Sequence, residues 1–244
     1  MLAGQHREFC CTHDAPRPSY LAAFAALAAV LAICLAWSDE LGFSSSLTPR
    51  LIEQLAGKFG ADARTRLAAW QKFILRQRLP EDQRERLAGK TERDILEAVN
   101  VFFNRVPFVD DLKHWGLLDY WASPAEMLAS NGGDCEDFSI AKYFALKEIG
   151  IPISKLRITY VKATRINQAH MVVAYYAGQG AEPLILDNLE DQIRPASQRP
   201  DLIPVYAFND DEVRLAKTGE RAGSPTQIRI WRGLLDKLER ERRM

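Results

Sequence analysis

Apolar residues in the first half of the chain recur at spacings of three and four, which indicates amphipathic helices. The first predicted helix begins behind Thr48, and the second spans residues 61–79. The third starts at Thr91, with Asp94 in the position that completes a capping box. A short helix is also predicted over residues 125–129. This half of the chain is therefore predicted to be helical.

A glycine turn opens the next predicted helix. Residues 131–137 read Asn-Gly-Gly-Asp-Cys-Glu-Asp, and apolar residues then recur at helical spacing up to Gly150. The two glycines explain a sharp turn, because glycine takes positive φ without a steric cost. Asp134 stands at the N-cap, so Cys135 lies in the first turn, at the positive end of the helix dipole. That position lowers the pKa of a thiol and favours the thiolate; the alternative is a buried, inert cysteine.

Beyond Gly150 the apolar period changes to two, which predicts strands and an α+β protein. If Gly178 and Gln179 form a type II′ turn, His170 and Asp187 lie directly opposite each other on neighbouring strands. Facing residues have Cβ atoms about 5 Å apart, close enough for a carboxylate to orient an imidazole. The predicted strands are residues 156–161, 169–176, 184–187 and 205–208, and residues 226–244 form a closing helix.

Charge and length narrow the class of protein. The chain has 244 residues, with 32 lysines and arginines against 32 aspartates and glutamates. This length suits one substantial domain, or one domain with a helical extension. A formal net charge of +0 argues against nucleic acid as a partner, because phosphate binding requires a basic excess.

The extension resembles a targeting segment. Residues 20–37 carry no charge and follow Arg17, which is typical of a secretory signal peptide. We predict a signal peptide over residues 1–36, cleaved ahead of Trp37, and one domain over residues 37–244. The alternative is an uncleaved anchor, because 18 uncharged residues reach the lower limit for crossing a bilayer.

Cleavage ahead of Trp37 changes what the cysteines can do. Cys10, Cys11 and Cys34 precede the cut, so a mature exported protein keeps only Cys135 and forms no internal disulfide. An unused thiol is a liability in an oxidising compartment. The cysteine count therefore supports the interpretation of Cys135 as a nucleophile.

The order of three residue types predicts a reaction class. A cysteine on a helix start, a histidine on a strand and an aspartate on the next strand follow one another as in papain-like and transglutaminase-like enzymes. In that chemistry the Cys135 thiolate attacks an acyl carbon and His170 transfers the proton. Asp187 fixes the tautomer and orientation of the imidazole.

The acids beside the cysteine need a separate explanation. Asp134, Glu136 and Asp137 surround Cys135, and like charges raise the pKa of a thiol. A bound divalent cation reverses that local field, and clustered carboxylates suit calcium. The alternative is that they are ordinary acids at a helix N-terminus.

Five short segments give the sequence a family resemblance over residues 48–206. Together they resemble the bacterial transglutaminase-like cysteine proteinases, and the cysteine, histidine and aspartate segments occur in family order. The resemblance implies a papain-like, transglutaminase-like α+β fold, in which N-terminal helices and the cysteine helix pack on an antiparallel sheet. The segments are Lys-His-Trp-Gly (113–116), Asp-Tyr-Trp (119–121), Gly-Asp-Cys-Glu-Asp-Phe (133–138), Ala-His-Met (169–171) and Leu-Asp-Asn (186–188).

The resemblance also implies an activity and partners. It implies a calcium-dependent periplasmic endopeptidase that cleaves the N-terminal region of a large LapA-like surface adhesin at a di-alanine site, releasing the adhesin and dispersing biofilm. It further implies restraint by a LapD-like inner-membrane receptor that responds to cyclic di-GMP.

The resemblance assigns roles to residues by position. Cys135 is the nucleophile, His170 the base and Asp187 the residue that orients it. Asp134 and Glu136 match the acids associated with calcium, and Asp137 is included beside them. Two alternatives remain: a transglutaminase or amidase of the same fold, and a non-catalytic binding module.

Overall fold

A seven-stranded antiparallel sheet organises the fold, and helices cover one of its faces. The computed structural model describes residues 47–78, 91–216 and 218–244. The predicted signal peptide over residues 1–36 lies outside the described residues. Within the described ranges, no helix is long and apolar enough to span a bilayer.

The helices begin where side-chain caps predict them. Thr48 accepts a hydrogen bond from the Leu51 backbone N–H at 3.1 Å, and Thr91 with Asp94 forms the predicted capping box. The second helix is shorter than the predicted residues 61–79. The helices in the described residues are α1 (Pro49–Phe59), α2 (Asp62–Gln77), α3 (Glu92–Asn104), α4 (Asp111–His114), α5 (Pro124–Ser130), α6 (Cys135–Ile149) and α7 (Arg229–Arg242).

The strands follow α6 in sequence. Their order across the sheet is β4-β3-β2-β1-β5-β6-β7, so the two longest strands, β1 and β2, lie near its centre. Every neighbouring pair is antiparallel. The strands are β1 (Leu156–Ala163), β2 (Gln168–Tyr175), β3 (Leu184–Leu186), β4 (Arg194–Pro195), β5 (Leu202–Phe208), β6 (Val213–Leu215) and β7 (Arg221–Gly223).

The register between β2 and β3 corrects one prediction. Strand β3 is displaced by two residues along β2, because the connection over residues 176–183 is longer than a two-residue turn. Asp187 therefore follows β3 at the level of Val172 and not of His170. A displacement of two keeps side chains on the same face. Diagonal neighbours on one face remain within reach of long side chains.

Strand β5 begins earlier than the pattern predicts. It starts at Leu202, ahead of the predicted strand over residues 205–208, and it includes Pro204. Pro204 pairs with Val161 at an irregularity in the β1–β5 ladder. A proline is tolerated at such a position, because its missing N–H removes little from the ladder.

The helix that begins with Cys135 lies at the centre of the core. Most residues of α6 are buried, and it packs on β1 and β2 and against α3. Because apolar residues surround it, its hydrophobic pattern is weak, as expected of a fully buried helix. The start of α6 is therefore held in place by the main core of the protein.

The last helix, α7, attaches to the segment that precedes α5. Trp231 of α7 is 0% exposed and packs against aromatic rings that include Phe144 and Phe208. The Lys237 ammonium donates hydrogen bonds to the Trp121 carbonyl at 2.9 Å and to Glu126 Oε2 at 2.7 Å. The C-terminal helix thus fixes the position of residues 121–126.

Replacing Trp231 with alanine tests this packing. We expect Trp231→Ala to lower the free energy of unfolding by about 3–5 kcal/mol, because it leaves a large cavity among aromatic rings. Urea denaturation measures the change. As a control, Leu118→Ala removes a side chain that is 91% exposed, and its effect should stay within about 0.5 kcal/mol. Equal effects of the two substitutions would contradict this account of α7.

Candidate active site

The turn before Cys135 forms for a different reason from the one predicted. Positive φ occurs at Asn131 (59°), the C-cap of α5, and at neither Gly132 nor Gly133. The two glycines instead allow close packing. A Cβ at Gly132 would lie 2.9 Å from His114 Cε1, and a Cβ at Gly133 would lie 2.7 Å from Asp137 Oδ2. The turn therefore requires glycine because side chains are pressed against its backbone.

A neighbouring segment holds this turn. The Val109 backbone N–H donates to the Gly133 carbonyl at 2.9 Å, and Phe108 forms a β-bridge with Gly133. His114 contacts Ser130 Oγ through Nε2 at 2.8 Å. These contacts bring residues 108–114 against the start of α6.

Cys135 occupies the first position of α6, as predicted, with Asp134 at the N-cap. Asp134 makes no side-chain capping hydrogen bond, and the Cys135 thiol donates to Glu136 Oε2 at 3.0 Å. Burial, followed by the charge and hydrogen bond of Glu136, raises the pKa of the thiol, although a hydrogen bond from the Met171 backbone acts in the opposite direction. With the protein's own groups alone, burial and then the neighbouring acids raise the pKa of the thiol, in the direction opposite to that predicted from its place at the helix start.

His170 and Asp187 are in contact despite the displaced register. His170 Nε2 lies 2.7 Å from Asp187 Oδ1, and the two residues are 2% and 1% exposed. A carboxylate only accepts, so Nε2 carries the proton and Nδ1 is the nitrogen left for a thiol. Burial alone would raise the pKa of Asp187. Hydrogen bonds from His170, the Leu189 N–H and Arg199 outweigh it and lower the pKa to about 2.

Cys135 and His170 line one cleft of about 330 Å³. Trp121 lines the same cleft, together with Tyr160 and Tyr206, whose rings stack at 5.1 Å between centroids. The structure thus brings the predicted cysteine and histidine to a shared space, with the predicted aspartate behind the histidine. A thiol and an imidazole in one cleft with a buried carboxylate can carry out acyl transfer.

The predicted metal residues belong to a larger acidic cluster. Asp134, Glu136 and Asp137 lie beside Asp111 and Asp119, in overlapping groups whose ligand atoms are within 4.8 Å of one another. The sequence prediction missed Asp111 and Asp119. Their signal was present, because both flank the Lys-His-Trp-Gly segment in a stretch rich in polar residues.

Unpaired oxygens show that the cluster fits a cation. Asp111 Oδ1, Asp134 Oδ1 and Asp137 Oδ2 are buried and have no hydrogen-bond partner among the described residues. Burial, followed by the charge of Glu136, raises the pKa of Asp134 to about 9, and burial raises that of Asp111 to about 6. These carboxyl groups resist being ionised at the same time, and the named oxygens have no hydrogen-bond partner among the described residues. Both properties suit ligands of a hard cation such as calcium.

Comparisons with known proteins agree with this site. The profile of the bacterial transglutaminase-like cysteine proteinases (BTLCP) matches residues 76–202. The chain belongs to this family. Calcium-bound Legionella pneumophila LapG is 41% identical, with a TM-score of 0.64 over 79% of this chain and 99% of LapG. EGTA-treated LapG is 40% identical, with a TM-score of 0.67 over 79% of this chain and 98% of LapG. A search of curated proteins gave no match.

Family membership confirms the predicted family and the predicted α+β fold, with its helices on an antiparallel sheet. It also supports the class of cysteine peptidase. The bacterial transglutaminase-like proteinase match covers the turn, α6, the strand that carries His170 and Asp187 directly after β3. The match contains every residue of the acidic cluster. It also contains the residues that line the cleft, apart from Tyr206 and those of the C-terminal region.

Substitution of Gly133 tests the close packing of the turn. We expect Gly133→Ala to lower the free energy of unfolding by about 1–3 kcal/mol, because the new Cβ overlaps Asp137. Thermal denaturation measures the change. Gly233→Ala is the control: this glycine lies inside α7 with nothing within 4 Å of an added Cβ, so alanine should stabilise by up to about 1 kcal/mol. Stabilisation by both substitutions would disprove the proposed contact.

Proposed function

We propose that this protein is a calcium-dependent cysteine endopeptidase in which Cys135 is the nucleophile, His170 the general base and Asp187 the orienting carboxylate. The observation that carries the proposal is the position of His170. Its Nε2 is held by Asp187 at 2.7 Å, and its ring lines the cleft that holds Cys135. The family adds the class of reaction.

The residues support a two-step hydrolysis. His170 Nδ1 takes the thiol proton as Cys135 Sγ attacks the carbonyl carbon of the substrate, and the same proton then passes to the leaving amine. Water hydrolyses the resulting thioester with His170 again acting as base. The Asp187 carboxylate stabilises the imidazolium formed in each step. The backbone N–H of Cys135 is the candidate donor to the oxyanion.

Calcium is the proposed cofactor. Asp134, Glu136 and Asp137 would hold it together with Asp111 and Asp119, which join them in overlapping groups of three acids. A bound calcium ion supplies positive charge that offsets the acids next to the thiol. Support comes from the unpaired oxygens of the cluster and from the similarity to LapG, which has been solved in a calcium-bound form.

The substrate, partner and compartment are proposed from the family motifs. We infer that the protein acts in the periplasm on the N-terminal region of a large LapA-like adhesin, at a di-alanine site, so that cleavage releases the adhesin and disperses biofilm. We also infer restraint by a LapD-like, cyclic di-GMP-responsive receptor. The bulky aromatic side chains that line the cleft of about 330 Å³ are compatible with small side chains beside the scissile bond.

Substitutions of the three residues test the mechanism. With calcium and the periplasmic segment of a co-encoded adhesin as substrate, we expect Cys135→Ala and His170→Ala to lower kcat by about 10⁴-fold or more. Asp187→Asn should leave more activity, because orientation is impaired while base and nucleophile remain. Gel-based cleavage assays measure the rates, and circular dichroism checks the fold. Near-normal cleavage by a folded Cys135→Ala protein would exclude this nucleophile, and amine cross-linking would favour a transglutaminase.

Removal of calcium tests the metal site. We expect chelation to abolish cleavage and added calcium to restore it, because the acids beside Cys135 would otherwise repel one another and the thiolate. Magnesium should substitute poorly, since it requires a tighter octahedron and retains its water. Calcium at 100 times its dissociation constant should stabilise the fold by about 2.7 kcal/mol.

Asp134→Ala and Glu136→Ala should each mimic chelation, whereas Glu239→Ala, a surface substitution in α7, should not. Calorimetry measures binding directly. Full activity in chelator together with no heat of calcium binding would falsify the site.

A further inference from the structure

A buried arginine contacts the oxygen of Asp187 that His170 does not use. The Arg199 side chain is 3% exposed, and its Nη2 donates to Asp187 Oδ2 at 2.7 Å. Arg199 follows a short 3₁₀ turn between β4 and β5, so it reaches Asp187 from a separate part of the chain. Nothing in the sequence pattern distinguishes it from other arginines.

The guanidinium is itself held by a second carboxylate. Asp201 accepts from Arg199 Nε at 3.1 Å through Oδ1 and from Nη2 at 3.0 Å through Oδ2. Thr164 donates to the Asp201 backbone carbonyl with its backbone N–H at 2.8 Å, which fixes this residue to the end of β1. Two contacts to one carboxylate orient a planar guanidinium more strictly than one contact does.

The two oxygens of Asp187 therefore have different partners. Oδ1 accepts from His170 Nε2 and from the Leu189 backbone N–H at 2.9 Å, while Oδ2 accepts from Arg199. Rotation about the bond to the carboxylate of an aspartate is otherwise broad. With Oδ2 engaged, the carboxylate plane is fixed and Oδ1 points at the imidazole.

The other buried cation near Asp187 cannot do this. Lys142 lies on α6 and is fully buried, and its Nζ has no hydrogen-bond partner among the described residues. It interacts with Asp187 through space without a directed contact, so it does not fix the orientation of the carboxylate. Arg199 alone combines charge with a directed contact, as far as the described residues show.

We propose that Arg199 is a positioning residue of this enzyme, which holds Asp187 through Oδ2 so that Oδ1 keeps the His170 ring in the orientation needed at Cys135. Asp201 in turn holds Arg199. The inference rests on the proposed roles of these three residues. It adds to the cysteine, histidine and aspartate a buried arginine, Arg199, and its partly buried partner Asp201.

Kinetics of Arg199 variants test the proposal. We expect Arg199→Gln to lower kcat on the adhesin segment by about 10- to 100-fold, the range for loss of an outer hydrogen-bond partner, with KM changed by less than about twofold. Arg199→Lys should recover part of the loss, since it keeps the charge but lacks the planar fork. Asp201→Asn, which leaves the Arg199–Asp187 contact in place, should lower kcat less.

A matched control is available on the same sheet. Arg157 is a partly buried arginine that pairs with Glu212 at 2.7 Å and contacts no member of the proposed active site. Arg157→Gln should leave kcat and KM unchanged. If Arg199→Gln does not fold, Arg199→Lys and Asp201→Asn decide the question, because the first keeps the positive charge and the second keeps the Arg199–Asp187 contact. Wild-type kcat in both of these folded variants then overturns the proposal.

Chemical rescue separates positioning from general stability. Arg199 lines a cavity of about 610 Å³ that opens on the sheet, so a small cation can reach the space left by Arg199→Ala. Millimolar guanidinium chloride should raise kcat of Arg199→Ala severalfold, whereas sodium chloride at equal ionic strength should not. No rescue of a folded Arg199→Ala protein, together with wild-type kcat in Arg199→Gln, contradicts the proposal.

A spectroscopic measurement distinguishes failure of this inference from failure of the proposed function. In ¹⁵N-histidine-labelled protein, the proton on His170 Nε2 should be slowly exchanging and shifted downfield, and it should be lost or shifted in Arg199→Gln but not in Arg157→Gln. A His170→Asn variant assigns the signal. If the wild-type protein cleaves nothing, the function fails while this signal still tests Arg199. An unchanged signal in Arg199→Gln overturns the inference even if the wild-type protein cleaves the adhesin segment.

Discussion

Carboxylate charge at the buried start of α6 is the constraint on which this end of the structure depends. Acids from three segments of the chain meet beside Cys135, with oxygens that have no partner among the described residues. Like charges removed from water repel strongly, so these segments share the site only if protons or a cation offset the charge. The same neutralisation of charge controls the protonation state of the Cys135 thiol. The local folding of these segments and the reactivity of Cys135 therefore both depend on how the negative charge is neutralised.

The two buried acidic sites of the protein differ in how their negative charge is neutralised. Asp187 has built-in partners: hydrogen bonds from His170, then from the Leu189 N–H and Arg199, outweigh its burial and lower its pKa to about 2. No lysine or arginine of the described residues forms an ion pair with Asp134 or Asp137, and the pKa of each rises. The charge of Asp187 is thus neutralised by the protein itself. The charge of Asp134 and Asp137 requires an ion from solution, so the calcium concentration can control the proposed activity.

The predictions from the sequence were most accurate for features that depend on residues close together in the chain. The caps at Thr48 and Thr91, the position of Cys135 on α6 and the change of period after Gly150 depend on a few consecutive side chains, and the structure agrees. What the sequence missed depends on contacts between distant segments. Arg199 comes close to Asp187 only after β3, β4 and β5 have paired, so no local pattern reveals it.

Two errors of detail have the same origin. The glycines before Asp134 serve close packing against His114 and Asp137, which a local rule about φ cannot foresee. The β2–β3 register depends on the conformation of a loop that contains several turn residues, and more than one turn type fits them. The contact between His170 and Asp187 survived because an error of two residues preserves the face of the sheet.

That contact has a consequence for the β2–β3 loop. The backbone ladder between the strands and the side-chain contacts beyond it fix the imidazole relative to the carboxylate. The end of the loop supports the turn before Arg199, because Glu182 accepts from the Ser197 N–H at 2.7 Å and the Pro183 carbonyl accepts from the Ala196 N–H at 2.9 Å. The tip of the loop lies away from these contacts. Gly178 and Gly180 in this loop have open space around them. Exposed loops of this kind accept inserted sequence. The hairpin tip is thus a suitable place to attach an affinity tag or a fluorescent reporter while the enzyme remains intact.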